Sequence, residues 1–441
     1  MSASARHLAA ARAALLPLGA GEIEGDIVGM DAMGLRIAGL ARLAPAGAQV
    51  TLIGEAGDAA PAEIIGNDGA LATAIPYAAL AEGAPPRRAR LAWPHRPARP
   101  RPDATWIGRA MDALGAPIDG RGPLIPGPPQ AASAGSAPRR PLGAAMDLGV
   151  RALDIFTPLR AGQKIGIFAG AGTGKSSLLS MIARNNAADL TVLILLGERE
   201  IEIAHYVAAL EENPRRIVVA ESSGRPATAR RLCLRTGLDI ATHFAAEGMA
   251  VLVVIDSITR YFHALRDIAL YQGELPAARG IPVSVFAEAA RELERIGPAR
   301  LDQPRGGAVT ALIAVLTEGN NINDPISDFM RGVLDGHILL DRAIAEAGRY
   351  PAVDILKSIS RSGLDGLGAD QRRSVASART LLLDFYEARE LEKFGVAPDP
   401  KLIQAGRALE SFLAQDMQSA PPAAASFAAL AALLADPAAG A

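Results

Sequence analysis

The octet Ala169-Gly170-Ala171-Gly172-Thr173-Gly174-Lys175-Ser176 combines residue types that hold phosphate: spaced glycines, then a lysine, then a hydroxyl. Glycines 170, 172 and 174 let backbone N–H groups turn inward around phosphate oxygens, and a helix starting here offers the positive end of its dipole. In that role Lys175 reaches the β and γ phosphates of a nucleotide, Ser176 ligates Mg2+ through its hydroxyl, and Ser177 adjoins them. The usual pattern opens with glycine, whereas position 169 is alanine; a glycine-rich turn without a ligand is the alternative. Two carboxylates close apolar runs elsewhere. Asp256 follows residues 251–255 and would support the metal from the next edge of a sheet, although strands often end in aspartate. Glu198 follows residues 191–197 and would orient and polarise an attacking water; a surface glutamate in a turn is its other reading.

Such groups need a sheet beneath them. Between about Pro141 and Leu364, short β-branched runs at 165–168, 191–195, 217–219, 251–255 and 310–315 alternate with helical stretches, which predicts an α/β domain with a mostly parallel sheet. From Glu22 to about Ala81, brief apolar stretches punctuated by glycine and aspartate predict a small β-barrel. Residues 83–102 carry Arg87, Arg88, Arg90, Arg96, Arg99 and Arg101 with several prolines, a solvated linker or else a basic contact patch. A second flexible stretch runs from 120 to 140. Beyond residue 365, Val375, Ala378, Leu382 and Phe385, then Leu402, Ala405, Leu409 and Phe412, repeat at helical spacing and predict two helices with one apolar face each. The stretch 419–441 is rich in alanine and proline and reads as a tail. Residues 4–16 form a weakly amphipathic segment, either a contact arm or a frayed terminus.

The chain has 441 residues, half of them hydrophobic and 21% charged, and a formal net charge of −2, so no overall field draws it to nucleic acid or anionic lipid. One cysteine, Cys233, excludes an internal disulfide and a multi-cysteine metal site, and reads as a buried small hydrophobe. The most apolar run, 249–255, is far too short to span a bilayer, and the start of the chain lacks a signal core, so a cytoplasmic protein is expected.

Longer ordered segments resemble the catalytic subunits of the rotary ATPase family, and above all the flagellar and type III protein-export ATPases. They include residues 108–120 (GRAMDALGAPIDG), 149–154 (GVRALD), 256–261 (DSITRY), 273–276 (GELP) and 349–354 (RYPAVD), in the family's order over roughly residues 20 to 415. The wording around Met181 to Asn185 and Ser284 to Phe286 is that of export ATPases rather than proton-driven synthases.

The resemblance implies an N-terminal β-barrel, a central RecA-like P-loop domain and a C-terminal helical domain. The corresponding bounds are an arm 1–20, a barrel 21–104, an ATPase domain 105–365 with its linker 120–140, helices 366–418 and a tail 419–441. It also implies Mg2+-dependent ATP hydrolysis in which Glu198 activates water, Lys175 and Ser176 hold nucleotide and metal, and Asp256 supports the metal. By the same resemblance Arg199 and Arg260 organise phosphate oxygens and Tyr350 stacks on adenine, a core tyrosine being the alternative. Arg361, ending Ser358-Ile359-Ser360, matches an arginine that reaches a neighbouring subunit's site, a device worth about a thousandfold in rate.

A homohexamer is therefore expected, together with a stator or regulator, a central stalk, a membrane export gate and chaperone–substrate complexes as partners. The expected place is the cytoplasmic face of the bacterial cell membrane, with peripheral membrane contact and no nucleic acid. A virulence secretion ATPase, a proton-translocating ATP synthase subunit and an RNA-dependent hexameric ATPase are the alternatives. The chain departs from the family wording at Glu200-Ile201-Glu202, where glycine, arginine and glutamate are usual, and at 222–226.

Overall fold

The computed structural model describes residues 21–55, 57–80, 85–93, 99–128, 137–210, 213–303, 305–317 and 324–435; the segment at 4–16 lies outside them. Strands β1 (Gly21–Met30), β2 (Leu35–Ala38), β3 (Gln49–Ile53), β4 (Ala59–Asn67), β5 (Leu71–Pro76) and β6 (Arg88–Trp93) close antiparallel in the order β1-β2-β5-β4-β3-β6. Alternation explains the closure. Leu35, Ile37, Val50, Leu52, Ala89 and Leu91 fill the interior while Arg36, Thr51, Arg88 and Arg90 stay outside or at the rim.

The β6 strand corrects the reading of residues 83–102 as linker or basic patch. Over 88–93 they complete the barrel, and Arg88 and Arg90 pair with Glu24, Arg90 also with Glu22, and Arg87 with Glu55. Such exposed pairs contribute at most about 1 kcal/mol each, so their main effect is to cancel the patch's charge. Arg96 lies outside the described residues.

The second layer begins with β7 (Ala110–Met111), β8 (Ala145–Met146), α1 (Arg151–Phe156) and β9 (Leu159–Arg160). It continues through β10 (Lys164–Ala169), α2 (Lys175–Asn185), β11 (Leu190–Glu198), α3 (Glu200–Ala208), β12 (Arg216–Ser222), α4 (Ala227–Ala246), β13 (Ala250–Asp256) and α5 (Ile258–Tyr271). The remainder is α6 (Val283–Leu293), β14 (Gly297–Pro298), β15 (Ala308–Leu316), α7 (Pro325–Val333), β16 (Gly336–Leu340), α8 (Arg342–Glu346) and β17 (Ile359–Ser360). The main sheet runs β17-β16-β10-β15-β13-β11-β12-β7.

The five strands expected from the sequence are its parallel centre. Helices cover both faces. Along β11, Leu193 and Leu195 enter one core while Val192, Ile194 and Leu196 enter the other, which is why these strands read as unbroken apolar runs. Parallel strands also deliver their C-terminal ends to one edge, so the loops after β10, β11 and β13 meet there. Within the stretch 120–140, Arg139 is not loose: it donates to the carbonyls of Pro298, Glu294 and Arg295 at 2.7, 2.6 and 3.0 Å. Cys233 is buried, as expected.

Helices α9 (Ala369–Glu392), α10 (Pro400–Leu413) and α11 (Ala423–Ala435) complete the chain. Val375, Ala378, Leu382 and Phe385 are buried as their spacing predicts, with Ala405 and Leu409 opposite. Close approach requires Gly406, where an added Cβ would lie 2.2 Å from the Phe385 ring. The presumed tail needs correction: α11 lies inside 419–441 and buries Phe427, Leu430 and Leu433 in the same core as α1. Among the described residues no helix is long and apolar enough to cross a membrane.

Candidate active site

β10 ends at Ala169, and the chain turns through Gly170 to Gly174 into α2. Gly172 and Gly174 take φ of 78° and 83°, the left-handed region that a side chain resists. Ala169 is a strand residue in register with Leu316 and Leu340, where alanine fits as well as glycine. Thr173 closes the loop on itself, its hydroxyl donating to the Gly170 carbonyl at 2.9 Å. Among the described residues no side chain caps α2, whose N-cap is Gly174, so its first N–H groups stay available to an anion, with Ala171 and Ser176 exposed and Ser177 half-buried beside them.

Lys175 extends from the first turn of α2 to an ion pair with Asp256, which is 1% exposed at the end of β13. Glu198 ends β11, 3% exposed. One of its oxygens lies 3.3 Å from the Arg260 guanidinium; the other, Oε1, is buried without a partner among the described residues. Burial, and next the charge of Asp256, raise the Glu198 carboxyl to about 7 against the pull of Lys175 and Arg260. A carboxylate with a free oxygen and such a proton affinity can accept a proton from water near neutral pH. Arg260 also donates to the Gly197 carbonyl.

Tyr350 packs on the loop from outside. A Cβ at Gly174 would meet its ring carbons at 3.1 Å, and the tyrosine is 44% exposed, which sets aside a core role. Arg199 stands exposed at the N-cap of α3, whose first turn carries Glu200 and Glu202, favourable to the helix dipole. The departure from the family wording there leaves Ile201 77% exposed.

Arg361 is not brought to this edge. It follows β17, its N–H donates to the Asp335 carbonyl, and the Asp335 N–H donates to Lys164 at the start of β10. The strand from Lys164 to Ala169 separates it from its own phosphate loop by roughly 17 Å, at about 3.3 Å per residue. An arginine cannot span that length.

Two neighbours escaped sequence reasoning. Arg230, from α4, packs against Gly197: a Cβ there would lie 3.1 Å from Arg230 and 3.3 Å from Arg260. Tyr206 is buried near Asp256 and Glu198. The doublet Arg230-Arg231 was the available signal, but it does not say which arginine faces the sheet. For Tyr206 no signal existed.

A phosphate loop at the end of a parallel strand, facing two buried carboxylates from β13 and β11, which lie beyond β15 in the same sheet, defines a P-loop nucleoside triphosphatase, here set between a closed barrel and a helical bundle. The family model described as "ATP synthase alpha/beta family, nucleotide-binding domain" matches residues 149–360. The "Flagellum-specific ATP synthase" of Agrobacterium fabrum is 43% identical over 300 residues, 67% of this chain and 63% of that protein. Its namesake from Caulobacter vibrioides is 38% identical over 397 residues, 87% and 89% of the two chains. The "Type 3 secretion system ATPase" of Xanthomonas euvesicatoria is 38% identical over 295 residues, 66% of each.

Among solved structures, the assembled ATPase EscN of the enteropathogenic E. coli type III secretion system superposes with a TM-score of 0.81 at 30% identity, covering 93% of this chain and 100% of EscN. EscN in complex with its central stalk EscO gives a TM-score of 0.80, with the same identity and coverage. The chain belongs to the ATP synthase alpha/beta family, among its flagellum-specific and type III secretion ATPases. The barrel, the central nucleotide domain and the helical domain expected from the sequence are all present, and the expected enzyme class, a P-loop ATP hydrolase, is that of the family.

Proposed function

We propose that this chain is the ATPase of a flagellar protein-export apparatus, hydrolysing ATP as a homohexamer on the cytoplasmic face of the cell membrane. The observation that carries hydrolysis is Glu198, buried at the loop edge with one oxygen unpaired among the described residues and a proton affinity near neutrality. In this reading Lys175 leaves Asp256 for the β and γ phosphates, and the N–H groups of residues 170–176 hold the remaining oxygens. Glu198 then orients the attacking water and takes its proton, while Arg260 and Arg199 bind phosphate oxygens and Tyr350 stacks on the adenine. A neighbour's copy of Arg361 completes the site. Ser176 and Asp256 supply hard oxygen donors suited to Mg2+, and together with water they would hold it. Bound there, Mg2+ supplies charge neutralisation for the phosphates.

The flagellar assignment is supported by the names of the Agrobacterium and Caulobacter relatives, and assembly with a stalk by the solved complex of EscN with its central stalk EscO. A stator, an export gate and chaperone–substrate complexes follow by the same kinship. The Xanthomonas and EscN likenesses favour a second reading, the same engine in a virulence secretion system. An RNA motor lacks support, since Tyr77, one of two aromatics in the first 104 residues, is buried against Glu63.

The test of the chemistry is Glu198→Gln. Nucleotide binding survives and turnover falls by about a hundredfold or more; near-normal turnover removes Glu198 from the role. Deleting the gene and scoring flagella against effector secretion separates the two export readings.

A further inference from the structure

We propose that Gln415 is a positioning residue for the nucleotide: its side-chain amide fixes the backbone N–H that holds Tyr350 over the phosphate loop, so that the C-terminal helices set the preference for a purine. The inference rests on the reading of Tyr350 as the residue that stacks on the base. Gln415 follows α10 and is buried. Its side-chain oxygen accepts the Arg151 N–H at 2.9 Å, and its amide nitrogen donates to the carbonyls of Gly149 at 2.7 Å and Ser419 at 2.9 Å. A buried amide satisfied at both ends has one orientation. In that orientation the backbone N–H of Gln415 donates to the Tyr350 carbonyl at 2.8 Å.

The surrounding grip is two-sided. Arg349, beside Tyr350, pairs with Glu410 of α10 at 2.8 Å, and the Tyr386 hydroxyl binds the same carboxylate. On the other flank the Arg151 guanidinium donates to the Phe412 carbonyl at 2.6 Å and lies 5.2 Å from the centroid of that ring. Three distant stretches of chain, 149–151, 349–350 and 410–419, therefore meet at one residue, the first and last at its side chain and the second at its backbone N–H. Tyr350 is half-exposed and its ring abuts Gly174, so its height above the loop follows from where its backbone is tied.

Leucine at 415 keeps the bulk but leaves one N–H and two carbonyls without their partner, and the chain after α10 parts from residue 350. A ring that is no longer held costs a purine more than a pyrimidine, because the purine offers the larger stacking face.

Steady-state hydrolysis of ATP and CTP by the full chain tests this, using wild type, Tyr350→Ala, Gln415→Leu and Arg151→Met. Arg151→Met cuts the contact with Phe412 but keeps the backbone N–H that Gln415 accepts, so it injures the same junction without touching the tie to Tyr350. We expect Tyr350→Ala to raise KM for ATP about tenfold, and Gln415→Leu about three- to tenfold with kcat within about twofold. In both, the ATP-over-CTP ratio of kcat/KM falls. Arg151→Met lowers Tm as Gln415→Leu does, but leaves KM and the ratio unchanged. If Tyr350→Ala changes neither KM nor the ratio, the stacking reading falls and the proposal with it. If Tyr350→Ala changes both while Gln415→Leu does not, or Arg151→Met changes them equally, the role of Gln415 alone is overturned. Should Gln415→Leu not fold, Gln415→Asn, which keeps the amide but retracts it, carries the same expectation at smaller size.

Discussion

Glu198 sits between opposed influences: burial and Asp256 raise its proton affinity, while Lys175 and Arg260 restrain it, with the balance at about 7. As a base it must be ionised, so kcat/KM should fall as pH drops below about 7. Arg260→Met removes one restraint, and the acid limb of the pH profile should move upward; an unmoved limb would mean that another group sets it. Stability follows the opposite sign. A carboxyl whose proton affinity is raised by folding contributes fully below its ordinary value of 4.5, and that contribution is lost as pH rises through about 7. Glu198→Gln should therefore be more stable than wild type at pH 8, on the order of 2 kcal/mol, with the gap closing by pH 5. Denaturant titrations at the two pH values measure it.

The phosphate loop, Asp256 and Glu198 were legible because each lies at the end of an apolar strand, and parallel strands gather such ends. What stayed hidden among the elements was hidden for physical reasons. The inward faces of β6 are only Ala89 and Leu91, flanked by arginines whose acidic partners lie more than 30 residues away in sequence. Helix α11 consists mostly of alanine and leucine, so its apolar stripe has little contrast with its other face. Gln415 looks like any polar residue after a helix until three chain segments converge on it. At the α9–α10 contact the sequence offered periodicity but not distance, and distance is what Gly406 supplies. Gly406→Leu should drive these helices apart and lower stability by about 2 to 3 kcal/mol, with Gly406→Ala less damaging. Thermal unfolding checks it, and an unchanged Tm would mean the helices separate without cost.

In the molecule as a whole, the barrel is fastened to the nucleotide domain by buried polar contacts. Glu63 of β4 pairs with Arg231 of α4 and accepts from the Tyr77 hydroxyl at 3.3 Å, and Thr228 donates to the Pro76 carbonyl at 2.9 Å. Adjacent residues of one helix thus face opposite ways, Arg230 toward the Glu198 strand and Arg231 toward the barrel. Glu63→Ala should cost about 2 kcal/mol by leaving buried Arg231 with only Glu288, 3.9 Å away, as its acidic partner, and Glu63→Ala with Arg231→Met should recover part of it. An additive double variant would dismiss the pair.

The place of Arg361, level with the start of β10 and remote from its own loop, has a genetic consequence. If each arginine serves the next subunit, an Arg361→Ala copy keeps its own site competent and silences its neighbour's. Such an allele should act dominantly when expressed beside the normal one. A Lys175→Ala copy, defective in its own loop, can still lend Arg361, so mixing the two defective proteins should restore some turnover where each alone has none. No recovery at any ratio would mean the arginine serves its own chain.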